Sequence, residues 1–320
     1  MSTTPHVKYL YALVNPGFEA ALKEEVLFRT PEARPSFSKP GFVTFKVPEG
    51  FRKPRWTYFR ILGEFVGKGT SHDAQVYLSS LEPQVVVHRT SLSPFQVQGS
   101  LVPKGGDIAD IIEVNPGEYW WGRRQVGPHD WGTPGGSSPF TLPSGAPSRA
   151  WLKLEEMLAW VGWEPTPEMT ILELGSAPGG ATSSLLRRGS KVWGVDLAPM
   201  DDSCLQNPRY THLNLSIRDL RKKHLPEQID VLFCDLSLKP VEAVPQLCHI
   251  VRLFPSVQRI FYTLKLGDAL KAVEIDRFLA RFVEMNFHVR TTQLPSHRSE
   301  IFVYASRTVP QPKKTADHLK

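Results

Sequence analysis

Glu173-Leu174-Gly175-Ser176-Ala177-Pro178-Gly179-Gly180, following directly on Ile171-Leu172, is the stretch whose reading decides the fold. An apolar run that stops at a cluster of small residues reads as a strand turning into a helix. Small residues let the backbone approach a ligand closely at such a turn, in the strand-end crevice where open α/β sheets bind nucleotides. The pattern is acidic-x-Gly-x-small-x-Gly. Ala177 and Pro178 break the spacing expected of a dinucleotide site. Taken alone, the turn also fits a helix cap that binds nothing.

The surrounding chain narrows the choice. Strand-like runs at 169–174, 191–196, 229–235 and 259–266 alternate with helix-like segments, as in an open parallel α/β sheet, and a last strand follows at 300–306. The expected fold is a Rossmann-like α/β domain with a mostly parallel sheet and an antiparallel last strand. Val192-Trp193-Gly194-Val195 ends at Asp196, where a carboxylate can accept hydrogen bonds from both hydroxyls of a ribose. Glu173, at the end of its strand, can take a charged amino group, which a dinucleotide lacks. Glu173, Gly175, Ala177, Pro178, Gly179, Gly180, Asp196 and the downstream Asp235 together point to S-adenosylmethionine as the cofactor.

Four ionisable residues stand at places where one pocket could gather them. Lys153 lies in Ser148-Arg149-Ala150-Trp151-Leu152-Lys153-Leu154, and Asp235 closes Asp230-Val231-Leu232-Phe233-Cys234. Lys265 closes Ile260-Phe261-Tyr262-Thr263-Leu264, and Glu300 opens Ile301-Phe302-Val303-Tyr304. Each has a plain explanation alone: a lysine at a strand end as a solvated cap, Asp235 as a helix N-cap, Glu300 as an edge-strand charge. Four coincidences are harder to accept than one shared site. A ribose 2′-hydroxyl is a poor nucleophile and needs a base beside an in-line methyl donor. A second ammonium near Lys265 is expected to lower its pKa and leave part of it neutral.

The N-terminal half is different. Residues 7–14 read as a strand, Asn15-Pro16-Gly17 as a turn, and Phe18 to Phe28 as an amphipathic helix, before a second strand over 41–47. Arg52 to Val66 mixes basic and aromatic residues, either as core rings or as a stacking surface for RNA. Residues 84–126 read as β-rich, and 127–147 carry Gly, Pro and Ser with almost no periodicity. The expected domains are 1–130 (α+β, RNA-binding), a linker at 131–147, 148–309 (catalytic) and a disordered tail at 310–320.

The 320 residues carry a net charge of +6, which favours phosphate-rich partners without proving one. No apolar run approaches the ~20 residues of a membrane span, and no secretory pattern opens the chain. Three cysteines without a CxxC pair suggest neither a disulfide framework nor zinc, and fit a reducing cytoplasm. No metal is expected. Among basic segments, Arg218 to His224 reads as a solvated face or a phosphate contact. Arg149 and Trp120-Trp121-Gly122-Arg123-Arg124 are better placed to meet RNA.

Lys153, Asp235, Lys265 and Glu300 in this order resemble the catalytic tetrad of the FtsJ-like RNA ribose 2′-O-methyltransferases. Within that family the chain is most similar to the bacterial enzymes of the M type, which act on large-subunit ribosomal RNA. Further matching pieces are Ala146-Pro147-Ser148-Arg149 running into Leu152-Lys153-Leu154-Glu155-Glu156, Gly175 to Thr182, Pro199-Met200 and Lys239-Pro240. Pro16-Gly17-Phe18-Glu19 with Glu24-Glu25 is similar to the subfamily's opening, which implies a ferredoxin-like piece and an RNA-binding THUMP module. The resemblance implies Lys265 as general base, tuned by Lys153, Asp235 and Glu300, and a cytidine of large-subunit ribosomal RNA as target. It places Gly179, Ala181, Asp196, Ser216 and Asp235 at the cofactor. Two positions depart from the family pattern: Ala181 replaces an aromatic residue and Ser216 an acid near the adenine, with Asp219 a possible substitute.

Two rivals remain. A base-directed or small-molecule methyltransferase is disfavoured because Asp235-Leu236-Ser237-Leu238 stands where an Asn-Pro-Pro-Tyr type motif belongs. A non-catalytic RNA-binding assembly factor with a vestigial pocket is disfavoured by the intact tetrad.

Overall fold

Alternating apolar and polar residues build a broad antiparallel sheet in the first half of the chain. In the computed structural model, which describes residues 7–51, 56–267 and 271–308, the chain divides into two units, residues 1–139 and 140–320. In the first unit β1 (Val7–Leu13), α1 (Glu19–Arg29), β2 (Arg34–Lys39), β3 (Phe42–Pro48), β4 (Ile61–Gly69) and α2 (Ser71–Ser79) precede four strands. These are β5 (Val86–Leu92), β6 (Phe95–Gln98), β7 (Asp107–Asn115) and β8 (Glu118–Gln125). Among the described residues they form one sheet in the order β2-β3-β1-β4-β8-β7-β5-β6. All pairs are antiparallel except β5 with β7.

β8 lies inside this sheet, so its successive side chains enter two separate cores. Trp120 packs with Tyr11, Phe42 and Ile112, while Trp121 joins Ile111 and Ala74 of α2. Arg124 is buried and donates to Asp110 Oδ2 at 2.7 Å, an oxygen that also accepts from the Tyr11 hydroxyl at 2.6 Å. The expectation that Trp120, Trp121 and Arg124 face RNA is therefore corrected: an interior strand buries both faces, and of this segment Arg123 alone keeps partial exposure. Trp56 and Tyr58 are likewise core residues, their loop held by Glu25 of α1, which accepts the Thr57 backbone N–H at 2.8 Å. Arg52, Lys53 and Arg55 lie outside the described residues. Trp131, Gly132 and Thr133 are buried in the first unit, the carbonyl of Trp131 accepting from Arg124 at 2.8 Å.

The second unit opens with α3 (Ala150–Val161), whose stop is Gly162 in the left-handed conformation. Then follow β9 (Thr170–Leu174), α4 (Gly180–Arg187), β10 (Lys191–Val195), α5 (Asp202–Leu205), β11 (Tyr210–Leu213), β12 (Val231–Cys234) and α6 (Pro240–Leu253). β13 (Arg259–Lys265), α7 (Ala272–Val283), β14 (His288–Thr292) and β15 (Glu300–Ser306) complete it. The sheet order is β11-β10-β9-β12-β13-β15-β14, with β11 to β13 parallel and β15 antiparallel to both neighbours.

This is the expected mixed α/β sheet with its last strand reversed. Its interior strands are mainly apolar and buried because both faces of the sheet are covered. Two edge strands, β11 and β14, were not anticipated. Thr-His in one and His-Val-Arg-Thr-Thr in the other carry the mixed polarity of half-exposed edges. No helix among the described residues is long and apolar enough to cross a membrane. The expected tail at 310–320 falls outside the described residues.

Candidate active site

The sheet topology brings the four ionisable residues to one end of the strands. Asp235 directly follows β12 and donates its own N–H to the Leu174 carbonyl at 3.0 Å, which pins it beside the glycine-rich turn. Lys265 is the last residue of β13, and Glu300, the first of β15, is its register partner. Lys153 comes from the first turns of α3.

Their side chains close a ring of alternating charge. Lys153 Nζ is 3.0 Å from Asp235 Oδ2 and 2.6 Å from Glu300 Oε1. Lys265 Nζ is 2.6 Å from Asp235 Oδ1 and 2.6 Å from Glu300 Oε2. Every carboxylate oxygen takes one ammonium, and the ring is neutral when fully charged. The side chains of the two lysines keep 19% and 24% exposure, so the ring is partly in contact with solvent.

The electrostatics correct one expectation. Burial pushes the Lys265 ammonium toward losing its proton, but Asp235 and then Glu300 outweigh it and hold the pKa above the usual lysine value. A second ammonium alone would have lowered it. Two carboxylates stand between the amines, so each lysine meets anions before it meets the other cation. Asp235 is raised by burial but brought below the carboxylate range by Lys153 and Lys265. Glu300 follows the same pattern, burial being overcome by His297, Lys153 and Lys265.

The glycine-rich turn is shaped by close approach. Gly175 has φ +81°, and a Cβ there would lie 2.7 Å from the Asp235 carbonyl oxygen. At Gly180 a Cβ would meet Ser148 Oγ at 2.3 Å and the Trp151 backbone nitrogen at 2.9 Å, so the turn is packed against the start of α3. Asp196 fastens the other side. Its Oδ2 accepts the Ala177 N–H at 3.0 Å and its Oδ1 the Ala198 N–H at 2.9 Å, leaving lone pairs on both oxygens. Glu173 is 4% exposed and accepts the Thr182 hydroxyl at 2.6 Å. Burial, with Asp235 and Asp196 nearby, pushes its carboxyl up to about 8. Three acids around a turn of glycines and small residues suit a nucleoside bearing positive charge. S-adenosylmethionine, with its ribose, ammonium and sulfonium, fits this donor set.

Ala177 and Pro178 lie in the turn, Gly179 caps α4, and Ala181 sits in its first turn. Ser216 caps a short 3-10 turn and accepts the Arg218 N–H at 3.3 Å, with Asp219 exposed in that turn. Arg149 is exposed at the start of α3 and reaches the Ser296 carbonyl at 3.5 Å. In the basic run, Arg218 pairs with Glu242 and Arg221 donates to the Arg218 carbonyl at 2.8 Å. Thr182 and Glu156 stand at the sequence level only inside longer matching pieces, without a role of their own, and His297 carries no signal there. His297 is buried within electrostatic reach of Glu300 and Lys153, and nothing in its local pattern announces this.

A Rossmann-like sheet with a strand-end tetrad beside a cofactor turn defines the class, and residues 146–300 match the model of the FtsJ-like methyltransferase family. That segment, just under half of the chain, is similar to this family, and S-adenosylmethionine suits the residues around its turn. Residues of this chain are 35% identical over 194 positions to the ribosomal RNA large subunit methyltransferase M of Laribacter hongkongensis, covering 55% of this chain and 53% of that protein. The protein of the same name from Chromohalobacter salexigens is 30% identical over 184 residues, 53% of this chain and 50% of its own. The chain thus spans about half the length of the curated relatives it matches. A putative hemolysin from Lactococcus lactis of known structure is 19% identical, with a TM-score of 0.44 over 52% of this chain and 90% of its own.

Proposed function

We propose that this chain transfers a methyl group from S-adenosylmethionine to a ribose 2′-oxygen of RNA, with large-subunit ribosomal RNA as the substrate. The observation that carries the reading is the neutral ring of Lys153, Asp235, Lys265 and Glu300 at the edge of the cofactor turn. The names of its relatives supply the substrate class.

In this reading Glu173 and Asp196 hold the cofactor's ammonium and ribose, while Gly175, Ala177, Pro178, Gly179, Gly180 and Ala181 give it room. Ser216 or Asp219 lies toward the adenine. S-adenosylmethionine supplies an electrophilic methyl on a cationic sulfonium, whose charge lowers the proton affinity of nearby amines. Lys265 Nζ, once neutral, would accept the 2′-hydroxyl proton while the oxygen takes the methyl, the sulfonium–methyl bond breaking to leave a neutral thioether. The carboxylates of Asp235 and Glu300 then stabilise the ammonium produced, and Lys153 holds those carboxylates in place. The same anions that make a neutral Lys265 scarce make it a strong base when it is neutral.

The first unit would dock the RNA as a THUMP-like module, with Arg149 contacting a phosphate near the tetrad. Cys204, Cys234 and Cys248 are buried free thiols, which suits a cytoplasmic enzyme. The test is ribose-methylation mapping of cellular RNA with and without the protein, joined to transfer assays in vitro. Loss of one 2′-O-methyl mark, restored by the wild type and not by Lys265→Ala, is the expected result. An unchanged methylation map would refute the reading. Calorimetric titration with S-adenosylmethionine separates an enzyme from a vestigial pocket, which would give no heat.

A further inference from the structure

Two consecutive glutamates of α3 are claimed by different neighbours. Glu155 takes a two-pronged contact from Arg188, at 2.8 Å to each oxygen, together with the Ser184 hydroxyl of α4. Glu156 is 0% exposed and turns to the loop between β14 and β15. Its Oε2 accepts the Ser296 backbone N–H at 3.0 Å and the Ser296 hydroxyl at 2.7 Å. Arg149, one residue before α3, reaches the carbonyl of the same Ser296.

The loop so held is the one that delivers the tetrad's last member. His297, next to Ser296, is 3% exposed and close enough to feel Glu300, Lys153, Asp235 and Lys265. Three residues further on β15 begins at Glu300, which bonds both lysines. Lys153 and Glu156 are three apart on α3 and therefore share a helix face. One face of α3 thus holds both ends of the same arrangement: Lys153 on Glu300, and Glu156 on the loop that leads to Glu300.

We propose that Glu156 is a positioning residue for methyl transfer, fixing the β14–β15 loop to α3 so that Glu300 bridges Lys153 and Lys265 in the reactive geometry. The inference rests on the ribose methyltransferase reading above. A displacement of about 1 Å at a reacting group can cost on the order of 100-fold in rate. A hydrogen bond that sets the register of an entire loop acts on that scale, without touching cofactor or RNA.

The test is steady-state and single-turnover methylation of RNA by the full chain and its variants, alongside cofactor affinity by calorimetry. Glu156→Ala is expected to lower kcat by roughly 10- to 100-fold, leaving KM for RNA and Kd for S-adenosylmethionine within about 3-fold. Glu156→Gln keeps an oxygen that accepts both Ser296 donors and is expected to retain kcat within about 3-fold. Ser296→Ala removes one of the two bonds and is expected to lower kcat less than Glu156→Ala. Their combination is expected to be no worse than Glu156→Ala alone. If Glu156→Ala does not fold, Glu156→Gln and Ser296→Ala decide the matter, since only the second should slow turnover. Unchanged kcat in Glu156→Ala, an equal loss in Glu156→Gln, or full additivity with Ser296→Ala overturns the inference alone. Absence of transfer by the wild type overturns the ribose methyltransferase reading, and the inference with it.

Discussion

Lys265 and Glu300 are register partners across the antiparallel pair β13 and β15, and their side chains meet at 2.6 Å. This pairing is possible because β15 runs against the rest of the sheet, so that its first residue lies beside the last residue of a parallel strand. One backbone ladder thereby delivers half of the tetrad. Asp235 at the end of β12 and Lys153 on α3 close the ring.

Replacing Lys265 by Ala or by Arg should abolish turnover by different routes. Alanine removes the proton acceptor. Arginine keeps the positive charge between Asp235 and Glu300, but a guanidinium does not give up its proton in a protein. Both variants are expected to lose about 100- to 10,000-fold in kcat while binding S-adenosylmethionine close to normally. Appreciable turnover by Lys265→Arg would remove the base from Lys265.

The raised pKa of Lys265 predicts how rate varies with pH. If Lys265 is the base as proposed, its acting form is the neutral amine, so kcat should climb across the neutral and alkaline range rather than level off near pH 7. Because the four groups are coupled, the limb belongs to the ring and not to one residue. Single-turnover rates between pH 6 and pH 9 check this, and a flat profile contradicts it.

Glu173 predicts a linkage of the opposite sign. Its carboxyl is pushed up to about 8, above the value of an unfolded chain, so the folded state holds a proton that the unfolded state has released. Stability is therefore expected to decline as pH rises from about 4.5 to 8, by a few kcal/mol at most. Glu173→Gln should remove that slope in denaturant titrations. If Glu173 ionises to meet the cofactor's ammonium, binding near pH 7 releases a proton in the wild type and not in this variant. Calorimetry in two buffers of different ionisation enthalpy reads this directly.

Gly180→Ala tests the contact between the cofactor turn and α3. The new methyl would overlap Ser148 Oγ at 2.3 Å and the Trp151 backbone nitrogen at 2.9 Å. The start of α3 must then move, carrying Lys153 with it. A loss of about 1–3 kcal/mol in stability is expected, with weaker cofactor binding and slower transfer together. A variant with wild-type melting temperature and kcat contradicts the packing.

The first unit carries its own marginal point. Asp110 neutralises the buried Arg124 and also accepts the Tyr11 hydroxyl. Asp110→Ala leaves that guanidinium buried without its anion and is expected to cost about 3–5 kcal/mol. Proteolysis or hydrogen exchange along residues 7–137 would register the loss, and unaltered protection would contradict it.

Much of the second unit was legible because its signals are local. An apolar run followed by Gly, Ala and Pro can be read within ten residues, and so can a charged residue at the end of each buried strand. The interior strands β9, β12 and β13 are mainly apolar. The edge strands β11 and β14, half exposed and polar, do not, and escaped notice. The same limit applies to Trp120 and Trp121. A pair of adjacent tryptophans beside two arginines reads as a surface until the strand is known to lie inside a sheet.

By itself, then, the order of residues determined the α/β pattern, the cofactor turn and the identity of the four charged groups. These depend on side-chain type and spacing along a short stretch of chain. Tertiary structure alone decided the order of charges around the ring, because residues 82 and 35 positions apart meet only through sheet topology. That order reversed the direction in which Lys265 titrates. It also decided that Glu156 holds Ser296 and that His297 lies within electrostatic reach of the tetrad. Electrostatic energy follows distance in space, and distance in space is what a linear sequence does not carry.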